Sequence, residues 1–220
     1  MEHAWNISPK EAIRLQRSLA GQVLIEPLRG PVNTIAGTDC AFIGKDTILA
    51  TAVLFDARTL AVIAHSEVRV ACTFPYVPGL LSFREAPAVI AAVEKLPAWP
   101  DLLMVDGQGL AHPRGFGIAC HVGLWLDLPV IGVAKSRLCG EHRTPGMRRG
   151  CHVRLLLDGN RVGSVVRTRD GVNPLYVSVG HRVTLEDAIR WTIRCATQAR
   201  LPEPTRRAHQ MVTRMKTGPT

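Results

Sequence analysis

The chain has 220 residues, 46% hydrophobic and 20% charged, a globular mixture able to bury roughly 70–75% of its unfolded surface as a single domain over 1–220. No apolar run approaches the ~18 residues of a membrane span, MEHAWNISPKEAIRL lacks the layout of a signal peptide, and six scattered cysteines without a CxxC pair read as reduced thiols; a cytoplasmic protein with no membrane partner is expected. The formal charge of +9 is uneven: residues 1–134 carry 10 Lys and Arg against 12 Asp and Glu, and residues 135–220 carry 17 against 6, which points to a polyanion such as nucleic acid, or else to no more than an Arg-rich proteome.

In chain order, Ser8-Pro9-Lys10-Glu11 has the form of a helix start with a capping box, and an amphipathic helix should follow to about Gln22. Three β-like stretches come next, Thr34–Ile43, Thr47–Phe55 and Leu60–Ala71, with turns short enough for an antiparallel meander. Phe74-Pro75-Tyr76-Val77-Pro78-Gly79 interrupts regular structure, and Ser82-Phe83-Arg84-Glu85 reads as a second capping box opening a helix to about Leu96. Leu102–Val105 and Pro129–Ala134 have the look of buried parallel strands, separated by a Gly/His/Pro loop and a helix near Phe116–Leu126. Further strands fill 152–179, including a hairpin turned by Asp158-Gly159-Asn160; Thr184 caps a helix to about Arg200, and Pro202 and Pro204 break it before a basic last helix. Cys139, His142, Cys151 and His152 lack any standard zinc spacing.

This order predicts an α/β fold: a central mixed five-stranded core sheet, three strands antiparallel and then two parallel, flanked by helices, with extra strands and C-terminal helices. It resembles the ribonuclease H-like pattern. In that arrangement Asp39, in the middle of an apolar strand, lies beside Asp106, at the carboxyl end of another, where α/β sheets keep their sites. Glu85 comes from the first turn of the adjoining helix. Each has an ordinary structural explanation alone: a polar strand face, an Asp-Gly turn, a helix cap. Together they form an oxygen-only set that would repel unless divalent cations neutralise it, the donor chemistry of Mg²⁺ or Mn²⁺ in phosphodiester cleavage.

Five blocks, FPYVPGLLSFRE (74–85), LMVDGQGLAH (103–112), VIGVAKSRL (130–138), NPLYVSVGHRV (173–183) and LPEPTR (201–206), occur in the order and spacing of the endonuclease V family, which the chain resembles from about residue 8 to about 210. The resemblance implies a Mg²⁺-dependent deoxyribonuclease, with Mn²⁺ as a substitute. It would recognise inosine in DNA, hydrolyse the second phosphodiester bond 3′ to it and leave 3′-hydroxyl and 5′-phosphate ends, with inosine-containing RNA as a further candidate substrate and a monomer as the acting unit. By motif, Asp39, Glu85 and Asp106 match the metal-binding carboxylates, His209 a position near the metal that orients or activates water, and Lys135 a contact to the scissile phosphate. Pro75, Tyr76, Val77 and Pro78 match a strand-separating wedge, stiffened by two prolines around an aromatic tip. Gly79, Leu81, Gly107, His112, Gly117, Ile118 and Leu138 match the surroundings of a pocket for the extruded base. Gln108 stands where many relatives carry His. The competing readings are a nuclease of this fold directed to branched junctions or RNA–DNA hybrids, and a catalytically silent nucleic-acid-binding protein.

Overall fold

A computed structural model describes residues 3–217. Its thirteen elements are α1 (Pro9–Ala20), β1 (Thr34–Ile43), β2 (Thr47–Asp56), β3 (Val62–Ala71), α2 (Leu81–Glu94), β4 (Leu102–Val105), α3 (Ile118–Leu126), β5 (Val130–Ala134), β6 (His152–Leu157), β7 (Asn160–Val166), β8 (Leu175–His181), α4 (Leu185–Cys195) and α5 (Glu203–Thr217). Among the described residues no helix is long and apolar enough to cross a membrane.

The strands form one sheet in the order β3-β2-β1-β4-β5-β8-β7-β6. The antiparallel meander β1–β3 and the parallel pairs β1–β4 and β4–β5 are those expected from element order. The extra strands are not a separate addition, because β8 pairs antiparallel with β5 and carries the sheet on through β7 to β6. The expected core of five strands is thus the larger part of eight. Alternation along the strands sorts apolar side chains to two faces. Ala36, Leu54 and Leu103 meet Val89 and Val93 of α2 and Val122 of α3, whereas Ile35, Val53 and Met104 meet Trp191 of α4 and Ala208 of α5.

Some element ends differ from expectation for local reasons. The first capping box forms: the Glu11 carboxylate accepts from the Ser8 amide at 2.8 Å, and Ser8 Oγ accepts from the Glu11 amide at 3.3 Å. The second does not. α2 starts at Leu81 behind a Leu80 N-cap with no side-chain cap bond, and the Ser82 hydroxyl is buried without a partner, so Glu85 is free of the helix end. β3 starts at Val62 because Leu60 sits at φ 58°, in the left-handed region, closing a turn organised by the Asp56 carboxylate. α4 stops at Cys195 rather than near Arg200. Carbonyls beyond it are taken by side chains instead, Ala196 by Arg149, Gln198 by Arg169 and Arg200 by Thr168.

α5 lies directly on β1 through Gly37, where a Cβ would come within 2.1 Å of the Pro204 carbonyl carbon. Thr51 of β2 donates its hydroxyl to the Ala208 carbonyl at 3.0 Å, fixing the same helix one turn on. Replacing Gly37 by Ala is expected to overpack this contact at a cost of about 3 kcal/mol. The check is thermal unfolding, with Tm falling by roughly 6–12 °C; an unchanged Tm would show that α5 is not seated on β1.

Candidate active site

Asp39 pairs in register with Thr51 of β2, and Asp106, immediately after β4, donates its amide to the Thr38 carbonyl at 3.4 Å. The two carboxylates are therefore neighbours across the parallel β1–β4 pair. Glu85 approaches from α2. Its carboxyl is pushed up to about 8, first by burial and then by the charges of Asp39 and Asp106. Burial and Asp106 likewise raise Asp39, against the opposing pull of His209 and Lys135. The half-buried Cys40 thiol is driven up by loss of solvent and then by Glu85, Asp39 and Asp106 in turn. Mutual repulsion thus marks Asp39, Glu85 and Asp106 as one electrostatic unit.

Two nitrogen-bearing side chains of the protein already face this unit. Lys135, just past β5, pairs its ammonium with Asp106 Oδ2, and His209 Nδ1 lies 2.6 Å from Asp39 Oδ2. Lys135 is held from behind by Arg200, whose guanidinium donates to the Lys135 carbonyl at 2.7 Å and to the Pro174 carbonyl at 2.8 Å. With the carboxylates paired in this way, no group of three or more His, Cys, Asp and Glu is gathered tightly enough to hold a metal ion among the described residues. The donor set still suits a hard divalent cation: three oxygen acids whose repulsion such an ion would relieve.

The stretch Tyr76–Pro78, just ahead of the helix that carries Glu85, forms one wall of a cavity of about 200 Å³; roughly 150 Å³ suffices for a benzene-sized ring. Six of the seven expected pocket residues line it: Gly79, Leu81, His112, Gly117, Ile118 and Leu138. Gly107 does not, because it turns the chain one position earlier and leaves Gln108 at the wall. Tyr76, Val77 and Pro78 line the same cavity, with Tyr76 72% exposed, while Pro75 faces a neighbouring groove. A larger concavity, about 890 Å³ along β6–β7, contains none of these groups.

Sequence reasoning missed the polar clamp behind the cavity. The Gly79 carbonyl accepts from Arg114 Nη2 at 2.6 Å, His112 Nε2 at 3.1 Å and Gln16 Nε2 at 3.2 Å. Gln16 also donates to the Phe116 carbonyl at 2.6 Å and accepts from Arg114 Nε at 2.5 Å, so one fully buried amide joins both walls. Gly79 is at φ 78°, and a Cβ there would come within 2.5 Å of Arg114 Nη2. A signal for Gln16 existed: it follows Ala12 and precedes Leu19 on the buried stripe of α1, a polar side chain where an apolar one belongs. The Arg114 amide donates to His112 Nδ1 at 3.1 Å, so His112 is the neutral Nε2–H tautomer, and burial with the Arg114 charge lowers its pKa to about 4.

The sequence and the fold both match known proteins. The family model for endonuclease V matches residues 17–210. Endonuclease V of Azotobacter vinelandii is 49% identical over 211 residues, covering 96% of each chain. The crystal structure of Streptomyces avermitilis endonuclease V superposes with a TM-score of 0.92 at 41% identity, over 98% of this chain and 96% of that one. Ciona intestinalis endonuclease V, in complex with a 24mer DNA containing an inosine followed by a ribo-adenosine, shares the fold at a TM-score of 0.82 and 22% identity, over 94% of this chain and 96% of that one.

Two outcomes test the clamp. Gln16→Leu leaves two carbonyls short of a buried donor, an expected loss of about 1–3 kcal/mol seen in denaturant unfolding. His112 stays neutral in the native protein down to about pH 4, whereas an unfolded imidazole protonates near 6.5. Its contribution to stability is complete above pH 6.5 and drains away as pH falls towards 4. In His112→Gln the acid limb of the stability curve should therefore be shallower than in wild type between these values; equal slopes would show that His112 titrates normally. The family model over residues 17–210 and relatives 47–49% identical over nearly the whole chain place this chain in the endonuclease V family, as an endonuclease.

Proposed function

We propose that the chain hydrolyses DNA at deoxyinosine, at the second phosphodiester bond 3′ to the modified base, leaving 3′-hydroxyl and 5′-phosphate ends, and so serves the repair of deaminated adenine. The observation that carries this reading is the junction of two features: an electrostatically coupled Asp39–Glu85–Asp106 set, and a ring-sized cavity directly behind an exposed, proline-stiffened aromatic. The DNA complex of the Ciona relative supports inosine as the base to be accommodated.

In this reading Asp39, Glu85 and Asp106 hold Mg²⁺, with Mn²⁺ as a substitute. A bound divalent cation supplies charge to activate water and to stabilise the leaving oxygen. The chain's own groups do the rest. His209, oriented by Asp39, holds the attacking water and takes its proton. Lys135 turns its ammonium from Asp106 towards the scissile phosphate, with its backbone anchored by Arg200. Tyr76 and its flanking prolines separate the strands, and the cavity receives the extruded base against His112, Ile118 and Leu138. All five catalytic side chains come from one chain, so a monomer suffices. The basic residues of 135–220 add phosphate grip. Inosine in RNA fits the same cavity, since the base and not the sugar enters it.

The experiment is cleavage of a labelled duplex carrying one deoxyinosine, with Mg²⁺ and with chelator, beside Asp39→Ala and an inosine-containing RNA. Wild type should nick two bonds 3′ to the lesion only with the ion present, and Asp39→Ala should lose at least roughly 100-fold. No nick at inosine overturns the substrate; an undiminished nick in Asp39→Ala overturns the assigned carboxylates.

A further inference from the structure

The first turn of α2 carries an arginine that none of these roles uses. Arg84, immediately before Glu85, places its guanidinium carbon 4.6 Å from the ring centre of Phe42 and 5.8 Å from that of Tyr76. Both distances are within the range of cation–π attraction. Its Nε is buried with no hydrogen-bond partner, so neither an ion pair nor a carbonyl accounts for where that end of the side chain sits. Phe42 lies on β1 three residues after Asp39, and a groove of about 610 Å³ runs between Phe42, Pro75, Tyr76, Leu81 and Arg84. One planar cation therefore touches the strand that bears Asp39 and the exposed aromatic of the proline loop, and its own helix bears Glu85.

We propose that Arg84 is a positioning residue. Its guanidinium, stacked between Phe42 and Tyr76, holds the tyrosine at a set distance from the carboxylates, so that the base extruded by the loop arrives with the correct phosphate over Asp39 and Asp106. This rests on the reading of Tyr76 as a strand-separating wedge. Tyr76 is 72% exposed, so much of its ring is free of the protein, and the Arg84 guanidinium lies over that ring at 5.8 Å from its centre. A planar guanidinium suits this task better than an ammonium, because it can stack on a ring with its flat face and needs no hydrogen bond to do so.

The test uses full-length protein and two substrates with one inosine each, a duplex and a single strand, since only the duplex needs its strands separated. The readout is the duplex-to-single-strand ratio of kcat/KM for wild type, Arg84→Met, Tyr76→Ala and the double variant. The ratio should fall about tenfold in Arg84→Met, chiefly through KM on the duplex, and by a similar factor in Tyr76→Ala. The double variant should fall little further, because two residues acting through one contact are not additive. An equal loss on both substrates in Arg84→Met would mean that Arg84 acts on Glu85 instead, and an additive double variant would mean that it acts apart from Tyr76; either overturns the inference. A normal ratio in Arg84→Met with a reduced one in Tyr76→Ala overturns the role of Arg84 alone, while a normal ratio in Tyr76→Ala overturns the wedge and this inference with it. If Arg84→Met does not fold, Arg84→Lys keeps the charge and reads the same ratio, with a smaller fall expected.

Discussion

Three carboxylates gather where β4 ends beside β1, and the charges of Asp39 and Asp106 both raise Glu85. Burial alone would drive such acids towards their protonated forms; proximity drives them further, as the elevation of Glu85 to about 8 shows. The fold keeps them together because each is fixed by something stronger than its own preference. Asp39 is set by a ten-residue strand pairing, Asp106 by the end of a fully buried strand and Glu85 by a helix packed across the sheet. Lys135 and His209 offset part of the repulsion from opposite sides. This local conflict between stability and arrangement is what gives the site its appetite for positive charge.

The rest of the site is organised to leave that conflict undisturbed. Arg200 holds the Lys135 backbone and leaves its ammonium available. The buried clamp of Gln16, Arg114 and His112 fixes the cavity wall through a single carbonyl, so its shape depends on hydrogen bonds made away from the acids. The acids and the cavity are thereby supported by different residues, which allows each to be held in place without constraining the other.

Much of this was legible from the chain. Hydrophobic alternation and short turns were enough to arrange β1–β5, and that arrangement alone brought Asp39 beside Asp106. The misreadings share a cause, namely tertiary contacts overriding local preference. Ser82 has the sequence of a helix cap, yet its hydroxyl is buried and unpartnered because the Leu80 turn, which buries an apolar side chain, sets the entry to α2. The end of α4 is decided by Arg149, Thr168 and Arg169 from distant loops, and no window around residues 196–200 contains that information. Gln16 was visible as an anomaly on an apolar stripe, but its partners lie 63 and about 100 residues away in sequence. The continuity of β5 with β8 depends on a pairing across a 40-residue excursion, which periodicity does not report.

The seat of α5 on Gly37 bears on the order in which the molecule becomes competent. His209 meets Asp39 across 170 residues of sequence, and the helix that carries it docks on a surface made by β1 and β2. That surface exists only once the first strands have paired, so the contact between His209 and Asp39 is non-local and carries a large loop-closure cost. Loosening this helix would part His209 from Asp39 without touching the parallel β1–β4 register that sets Asp39 beside Asp106. The acids are thus set by strand pairing and the imidazole by helix docking, so the complete cluster depends on two separate packing events.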